Sequence, residues 1–559
     1  MKSEFDVCII GSGAGAGPVA YELAQSGFKV LVLEKGPWFK EEDFTKDEIA
    51  CCRRDTYTPK LKDESHVIED RENDKWTATS NKDLNWSFWN GNMVGGSSNL
   101  MSGYFHRLKP VDFRLLSTFG KIEGANIVDW PISYADMEPY FAKVEKIVGV
   151  SGKVVHHPNQ EPRSTEDFPQ PPTKEHITSE WIDSAGKKLG YYPFPMPRAI
   201  LSKSTQKRNQ CVYTGYCGSY GCTTKAKGSS RAALLDPAVA SGNCEIRPNS
   251  KVFKIASGKD GKASHVLYYD SENKKQKAHA SIFVVACQAV ESSRLLLLSK
   301  GPKHRNGLGN NCGQVGKNLI FSAGGKGGAD FYKEDLSEEA FKRLNEQGTF
   351  VNRALQDWYI INDHPDFSGS IKGGTIDFLL GHSNPIRRAV RLKWENGELL
   401  WGKALKDKLE NHFHTTRRLE FEVFCDWLPT DNCFVTLDKN ETDKWGTPVA
   451  KIRIGYHEHD LKVGKYLAQK AEKLLRTMGG RNVYSSISPS PPANLMAGGC
   501  RFGIDPRSSV LDPDCRVHDA PNVFVTDGSF MPTGGSVTYT WAIYANAFRV
   551  ADKIKNQLK

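Results

Sequence analysis

The sequence predicts an α/β protein in which a parallel sheet forms one domain and an antiparallel sheet forms a second, α+β domain. The N-terminus alternates as strand, glycine-rich turn, helix and strand, which is the opening of a parallel sheet. Residues 522–527 form a second buried strand of the parallel type, followed by a helix. Between about 320 and 480 the apolar residues alternate as in antiparallel strands. A chain of 559 residues is long enough for two domains.

The first element is a βαβ unit. Proline stands in the first turn of its helix and Gly27 at the end, as capping preferences favour. The predicted bounds are a strand at 5–10, a turn at 11–17, a helix at 18–26 and a strand at 29–33.

The turn of this unit carries the pattern Gly11-x-Gly13-x-x-Ala16. Small residues there permit the tight turn, the close approach of a pyrophosphate and the contact between helix and strand. The phosphate then lies at the helix N-terminus, where free N–H groups and the dipole favour an anion. Glu34 ends the second strand 18 residues after Ala16, a spacing suited to an adenosine ribose. These features predict dinucleotide binding.

The C-terminal end adds a second contact for such a ligand. The predicted strand 522–527 places Asp527 and Gly528 before the N-terminus of the predicted helix 540–557. The dipole of that helix can favour negative charge on a reduced flavin. One face of that helix is apolar, at Trp541, Tyr544, Phe548, Ala551 and Ile554. A nicotinamide enzyme needs only the N-terminal cradle, so the pairing of the two chain ends favours FAD over NAD.

The middle of the chain contains several further predicted elements. Ser133 is a candidate N-cap for a helix within 131–150, and residues 205–230 are too rich in glycine and cysteine to be anything but a loop. A buried strand at 281–287 precedes a helix at 289–299, and a long amphipathic helix spans 462–478. Three strands of one antiparallel sheet are predicted at 421–427, 434–437 and 449–454.

A cluster of cysteines lies in the 205–230 loop, with the spacing Cys211-x5-Cys217-x4-Cys222. Thiolates are soft ligands that suit a metal centre. A closed zinc site needs four ligands, whereas three cysteines fit an iron–sulfur cluster that lacks one corner iron. Unligated thiols and zinc remain open alternatives at this point. Three other cysteines, Cys8, Cys287 and Cys425, are predicted to be buried thiols within strands.

Charge and hydropathy exclude several classes of protein. The net charge of +10 is scattered through mixed-sign segments, which indicates a solvated surface rather than a nucleic-acid site. No apolar stretch approaches the roughly 18 residues of a membrane span. The first strand begins by Phe5, which leaves no room for a cleavable signal. Any membrane or export association is therefore expected to depend on a partner.

Together these motifs resemble the glucose–methanol–choline (GMC) family of FAD oxidoreductases. The resemblance covers the whole chain and is most specific at the N-terminal fingerprint and at 94–98, 130–140, 291–296 and 525–529. Within the family, the cysteine loop is similar to that of the large subunits of bacterial sugar and sugar-acid dehydrogenases such as gluconate 2-dehydrogenase, which carry FAD and a three-iron, four-sulfur ([3Fe-4S]) cluster.

The resemblance implies a Rossmann-like FAD-binding domain and a second, substrate domain built on an antiparallel sheet. The implied FAD-binding segments are 1–40, 86–110, 225–315 and 496–559. The implied substrate or cap segments are 41–85, 111–224 and 316–495, with the cysteine loop 205–230 among them.

The family's site residues carry over to matching positions of this chain. Cys211, Cys217 and Cys222 are the implied cluster ligands. The implied FAD-binding residues are Gly11, Ser12, Gly13, Gly15, Ala16, Glu34, Lys35, Val94, Gly95, Gly96, Ser97, Ser98, Asn99, Met101, Asp527, Gly528 and Thr538.

The catalytic positions depart from the family pattern. The position of the usual histidine is Leu495, next to Asn494, and the second catalytic position is Thr538. Neither Leu495 nor Thr538 is a competent base, so either another group takes that role or the chemistry is altered. The catalytic candidates in this region are Asn494, Thr538 and Tyr539. Histidines elsewhere are further candidates for the missing base, namely His412, His414, His457 and His459, whereas His518 is expected to be structural.

The implied activity is oxidation of an alcohol group of a sugar, polyol or sugar acid. A hydride passes to flavin N5, and electrons then leave through the cluster to a cytochrome or a quinone. The implied partners are a small subunit with a twin-arginine signal and a cytochrome c subunit or quinone acceptor. This arrangement implies a periplasmic location by co-export, with a cytoplasmic location as the alternative. Two other functions remain open: an oxidase of the same fold that reduces oxygen, and a silent flavin-binding relay or assembly subunit.

Overall fold

The computed structural model describes residues 4–51, 55–72, 75–83, 88, 91–381, 383–491 and 495–559. Both predicted sheets are present, so the α/β fold with an antiparallel second sheet is confirmed.

The parallel sheet brings the two ends of the chain together. Its strands lie in the order Arg516–Val517, Ala520–Val525, Ala280–Val285, Phe5–Ile10, Val30–Leu33 and Cys244–Arg247. All neighbours pair in parallel except the first two strands. The N-terminal strand is separated from the C-terminal strand only by Ala280–Val285, and the carboxyl ends of all three meet at one edge. Ligands bind at this edge in open α/β sheets.

The antiparallel sheet forms the second layer of the site. Its strands lie in the order Arg481–Ser486, Leu319–Tyr332, Thr416–Asp426, Gly374–Leu380, Arg353–Leu355 and Phe194–Pro195, and Met496–Gly498 pairs with the start of Leu319–Tyr332. The long amphipathic helix runs from Glu458 to Thr477 and packs its buried side against this sheet around Val423, Leu467 and Leu474.

One prediction about this region is wrong. The three strands predicted for a single antiparallel sheet belong to two sheets. Thr416–Asp426 lies in the large sheet, whereas Phe434–Thr442 and Pro448–Arg453 form a four-stranded sheet with Val67–Glu72 and Lys75–Ser80. Alternation identifies a strand but not its partner, and here Pro448–Arg453 pairs in parallel with the distant Val67–Glu72.

Smaller strands complete the structure. A three-stranded sheet consists of Lys251–Ser257, Ala263–Tyr269 and Lys275–Ala278. Two-stranded ribbons pair Ile360–Ile361 with Ile371–Lys372 and Trp394–Glu395 with Glu398–Leu399.

The helices agree with the predictions where these were made. Ser133 caps Tyr134–Val148, with its hydroxyl accepting from the Asp136 N–H at 3.3 Å. Thr540–Leu558 buries all five predicted apolar positions. The α-helices are Gly17–Gln25, Glu48–Cys51, Leu115–Phe119, Tyr134–Val148, Ile177–Leu189, Asp236–Ala240, Ala289–Leu298, Glu338–Leu344, Pro385–Leu392, Gly402–Glu410, Glu458–Thr477 and Thr540–Leu558.

Short helical turns of other types connect these elements. Single 3₁₀ turns are Glu41–Asp43, Asp55–Tyr57, Asn81–Asp83, Gly96–Leu100, Pro110–Phe113, Lys333–Asp335 and Gly528–Phe530, and π-helical turns are Ser230–Leu235 and Asn411–Thr415. Within the described ranges, no helix is both long and apolar enough to cross a bilayer.

Candidate cofactor and substrate site

A cavity of about 850 Å³ lies at the carboxyl edge of the parallel sheet and continues to the face of the antiparallel sheet. Its wall includes Gly11 and Glu34 from the N-terminal unit, Asp527 and Thr540 from the C-terminal end, and Phe424 from the antiparallel sheet. The cavity therefore joins both chain ends to the predicted substrate domain.

The fingerprint glycines differ in what their missing side chains would meet. A Cβ on Gly11, whose φ is +91°, would lie 2.4 Å from the Ala286 carbonyl oxygen. A Cβ on Gly15 would lie 2.6 Å from the Asp527 nitrogen, whereas one on Gly13 would meet no atom within 4 Å. Gly11 and Gly15 thus permit close backbone packing, and Gly13 leaves open space on the cavity wall where a pyrophosphate can approach.

The predicted ribose acid, Glu34, is buried at the end of its strand. Its carboxylate accepts a hydrogen bond from the Ser12 hydroxyl at 2.5 Å and one from the Gly36 N–H at 2.7 Å. Burial raises the pKa of this carboxyl, and the two hydrogen bonds oppose that shift. The acid is held in one orientation on the cavity wall, as recognition of a ribose requires.

The second glycine turn packs directly on the first. Gly95 and Gly96 both have positive φ, at +94° and +55°, and a Cβ on Gly96 would lie 2.9 Å from the Gly13 Cα. The Gly95 N–H donates to the Ser12 hydroxyl at 2.9 Å. The two turns therefore form one continuous backbone surface around the cavity.

Asp527 is fixed by a set of donors at the C-terminal end of the site. Its carboxylate accepts from the Ser292 hydroxyl at 2.5 Å, from the Ser529 N–H at 2.9 Å and from the Gln288 N–H at 3.1 Å. Burial raises the pKa of the Asp527 carboxyl. Gln288 adopts φ of +81° and caps the helix Ala289–Leu298, so this acid also secures the turn between strand and helix.

Most of the predicted cofactor residues reach the cavity wall. These are Gly11, Ser12, Gly13, Gly15, Glu34, Lys35, Gly96, Ser97, Ser98, Met101, Asp527, Gly528 and Thr538. Ala16, Val94, Gly95 and Asn99 do not reach it. Ala16 and Val94 are in the core, and the Asn99 amide is turned to the Val94 carbonyl at 2.9 Å, so these residues shape the turns from behind.

The candidate catalytic positions lie at the other end of the cavity. Leu495, Thr538 and Tyr539 line it, and Asn494 falls outside the described residues. The Thr538 hydroxyl donates to the Tyr104 carbonyl at 3.0 Å. Burial raises the pKa of the Tyr539 phenol well above its ordinary value. None of these side chains is a base at neutral pH.

The histidines proposed as replacements are elsewhere. Among the described residues no histidine lines the cavity, so His412, His414, His457 and His459 are wrong as candidates for the base. His457 caps a helix and bonds the Glu123 carbonyl at 2.8 Å, and His412 lies 3.0 Å from Arg388. His518 bonds the Ser509 hydroxyl at 2.8 Å, in keeping with its expected structural role.

Glu422 and Lys326 are cavity residues that the sequence analysis did not single out. They are direct partners on adjacent antiparallel strands, and Asp377 pairs with Glu422 from the other side. Burial, together with the charges of Asp377 and Glu420, raises the pKa of the Glu422 carboxyl to about 7. The available signal was the pair Glu420 and Glu422, which stand at alternate positions among apolar residues of the strand Thr416–Asp426 and therefore point to the same face.

The three loop cysteines share a second, much smaller cavity of about 30 Å³. Gly218 and Ser219, which lie between Cys217 and Cys222, line the main cavity, so the loop separates the two. Burial acts to raise the pKa of the Cys222 thiol, but the nearby Lys227 ammonium and local hydrogen bonds lower it overall. In the part of the chain that the structure describes, no three His, Cys, Asp or Glu side chains are arranged to hold a metal ion.

Of the three other cysteines that were predicted to be buried within strands, two are and one is not. Cys8 and Cys425 are buried strand residues. Cys287 is not in a strand: it lies two residues beyond Ala280–Val285, because the strand ends at the sheet edge, and its side chain lines the main cavity.

A glycine cradle, a buried acid on the second strand and a cavity closed by the C-terminal strand and helix define a dinucleotide-binding flavoprotein. Two GMC oxidoreductase family models match residues 74–321 and 429–547. The chain belongs to the GMC oxidoreductase family, and it is an FAD-dependent oxidoreductase that acts on alcohol groups.

Individual relatives cover nearly the whole chain. A 6'''-hydroxyparomomycin C oxidase of Streptomyces lividus is 30% identical and covers 99% of this chain and 92% of its own. A gluconate 2-dehydrogenase flavoprotein of Pantoea cypripedii is 24% identical, and the match covers 99% of this chain and 94% of that protein. Among solved structures, a variant of the formate oxidase of Aspergillus oryzae superposes with a TM-score of 0.64 at 15% identity. The match covers 100% of this chain and 99% of that chain.

Proposed function

We propose that this protein is a dehydrogenase that oxidises an alcohol group of a sugar, polyol or sugar acid and passes the electrons to a separate acceptor. The observation that carries the proposal is the position of the cysteine loop. Its residues Gly218 and Ser219 line the FAD cavity, while Cys211, Cys217 and Cys222 surround the small cavity behind it. Electrons that arrive at the flavin would thus have an exit on the far side of one short loop.

The residues of the cradle fit FAD. Gly13 leaves room for the pyrophosphate, Glu34 is poised for the ribose, and the N-terminus of Thr540–Leu558 opens on the cavity. FAD supplies the acceptor for the hydride of the alcohol. The protein's part is to exclude water, to orient the alcohol between the sheet face and the cradle, and to remove the hydroxyl proton.

The three cysteines of the loop supply the kind and number of donor atoms that a cluster with three protein ligands would need. Soft thiolate donors suit iron–sulfur chemistry, and the Lys227 ammonium near Cys217 and Cys222 would offset the negative charge of their thiolates. The ammonium is held by the carbonyls of Asn99, Cys217 and Tyr220 at 2.9–3.0 Å. A [3Fe-4S] cluster bound here would supply one-electron chemistry between the flavin and a cytochrome or quinone.

Exposed apolar side chains on this loop, and on a segment of which one end contacts the loop, support docking of a partner. Trp394 and Trp401 are 52% and 81% exposed, and Val212 of the cysteine loop is 59% exposed. The chain leaves the loop at Ser383 and Asn384 and then leads to the tryptophans: Tyr220 donates to Asn384 at 2.6 Å, and Ser383 donates to the Gly215 carbonyl at 3.1 Å. Tryptophan is enriched at the centre of protein interfaces. We propose that an electron-accepting subunit binds here.

The family resemblance to exported sugar-acid dehydrogenases also supports a periplasmic location through co-export with a small subunit. Fractionation of cells that express both subunits tests this. Recovery of the flavoprotein only in the cytosol would contradict it.

The function is tested by anaerobic addition of sugars, polyols and sugar acids to the purified flavoprotein. Bleaching of the flavin spectrum by one of them supports an enzyme, and its absence across the panel supports a silent subunit. Rapid reoxidation by air would instead support an oxidase. Broad iron–sulfur absorbance that is lost in Cys217→Ser supports the cluster, and its absence in protein kept anaerobic would contradict it.

A further inference from the structure

The proposed function needs a group that accepts the proton of the substrate hydroxyl, and the positions where the family pattern places one hold Leu495 and Thr538. Leu495 has no proton-accepting atom. The Thr538 hydroxyl is occupied with the Tyr104 carbonyl at 3.0 Å, and the other hydroxyl at that end, on Tyr539, is a phenol whose pKa burial raises. The acceptor must therefore come from another part of the cavity wall.

Four carboxylates line the described cavity, and three of them are already engaged. Glu34 accepts from Ser12 and Gly36, and Asp527 accepts from Ser292, Ser529 and Gln288. The third engaged carboxylate, Glu291, is held by Arg294 at 3.1 Å and His66 at 3.4 Å.

Glu422 is the fourth carboxylate, and it is different. Among the described residues its oxygens accept no hydrogen bond and form no ion pair within 4.0 Å. It is only partly buried and stands on the antiparallel sheet, on the cavity wall shared with Tyr104 and Thr538. Its charge is near enough to Tyr104 to contribute to the raised pKa of that phenol.

The groups that face Glu422 come from several elements. Lys326 pairs with it across one strand interface and Asp377 across the other, while Glu420 is two residues away on its own strand. His106 bonds Asp377 at 2.9 Å. Two neighbouring carboxylates favour the protonated form of Glu422, and one ammonium favours the ionised form. Such surroundings suit a group that takes up a proton and releases it during turnover.

We infer that Glu422 is the proton acceptor of this enzyme and replaces the histidine that Leu495 displaces. In the step, the substrate O–H bond breaks and its proton moves to a carboxylate oxygen of Glu422. The electron pair of that bond forms the carbonyl double bond, and the hydrogen on carbon leaves with its own electron pair as a hydride, which bound FAD would accept. The alcohol is oxidised to a carbonyl compound, and the proton later returns to water. This inference rests on the proposed function.

The test compares Glu422→Gln and Glu422→Asp with the wild type in anaerobic stopped-flow reduction of the flavin, using the alcohol that bleaches the wild-type protein. For the wild type we expect a rate that rises with pH through about 7 and then levels. In Glu422→Gln the rate of flavin reduction should fall roughly 100- to 10,000-fold and should no longer rise with pH. Glu422→Asp should recover part of the rate.

Glu420→Gln is the matched control, since Glu420 is on the same face of the same strand but does not line the cavity. Its rate of flavin reduction should stay within about threefold of the wild-type rate. The rise of that rate with pH should move to lower pH, because removing the like charge of Glu420 lowers the pKa of Glu422. A second readout is independent of turnover: the absorbance of the bound flavin should titrate near pH 7 in the wild type and not in Glu422→Gln.

The possible failures are distinguishable. If no alcohol bleaches the wild-type flavin, the proposed function fails. If the wild type is bleached but Glu422→Gln, with unchanged FAD content and melting temperature, keeps the wild-type rate and pH profile, the inference about Glu422 is overturned alone. A rise in KM with unchanged limiting rate would also overturn it, since that result would make Glu422 a binding contact.

Discussion

The Ser12 hydroxyl donates to Glu34 at 2.5 Å and accepts from the Gly95 N–H at 2.9 Å. A single buried side chain therefore connects the fingerprint turn, the ribose acid and the second glycine turn. It stabilises the cradle before any ligand enters.

Replacing Ser12 with alanine would leave a buried carboxylate and a buried N–H each short of one partner. We expect Ser12→Ala to lower the free energy of unfolding by about 1–3 kcal/mol and to weaken FAD retention. Chemical denaturation and the ratio of flavin to protein absorbance after gel filtration measure the two effects. Ser26→Ala, at an exposed position, is the control. Equal FAD retention in both variants would contradict the role of Ser12.

The fingerprint glycines should separate folding from binding. A Cβ at position 15 would collide with the Asp527 backbone, so Gly15→Ala should lower the stability of the protein even without FAD. A Cβ at position 13 enters open space, so Gly13→Ala should fold normally and lose affinity for FAD. Melting temperatures of the FAD-free proteins and FAD titrations distinguish the two. An equal fall in the melting temperature of both FAD-free variants would contradict this prediction.

Glu422 should make stability depend on pH in a defined direction. Its pKa rises from an ordinary value of 4.5 to about 7 in the folded protein. The folded state therefore holds a proton that the unfolded chain releases between these values, and this group's contribution to stability falls as pH rises through that window. Glu422→Gln should melt at the wild-type temperature near pH 4 and above it by a few degrees at pH 8, a small shift because the side chain is partly exposed. A difference of the opposite sign at pH 8 would contradict the raised pKa.

The exposed surface beside the cysteine loop should matter for protein acceptors and not for folding. Trp401 is 81% exposed, so Trp401→Ser should leave the melting temperature unchanged. We expect it to slow substrate-driven reduction of cytochrome c several-fold while reduction of a small dye stays constant. Ile504→Ser, which changes another side chain that is 79% exposed, is the control. If both variants slow cytochrome c reduction equally, this surface is not the docking site.

The sequence by itself determined the parts of the protein that depend on short-range patterns. The strand–turn–helix spacing around Gly11–Glu34 and the predicted strand that leads to Asp527, which in the structure ends at Val525, were sufficient to predict the cradle and its cofactor, because a phosphate-binding turn is formed by neighbours in the chain. The helix beginning after Ser133 and the buried face of Thr540–Leu558 were predictable for the same reason.

Tertiary structure decided the rest. Alternation could not show that Phe434–Thr442 pairs outside the large sheet, and it gave no reason to prefer Glu422 over four histidines. Lys326, Asp377 and Glu422 are up to 96 residues apart and become neighbours only through strand pairing. The pairing of distant strands sets the register of these residues, their burial and the charges around them. These properties in turn decide which carboxylate faces the substrate.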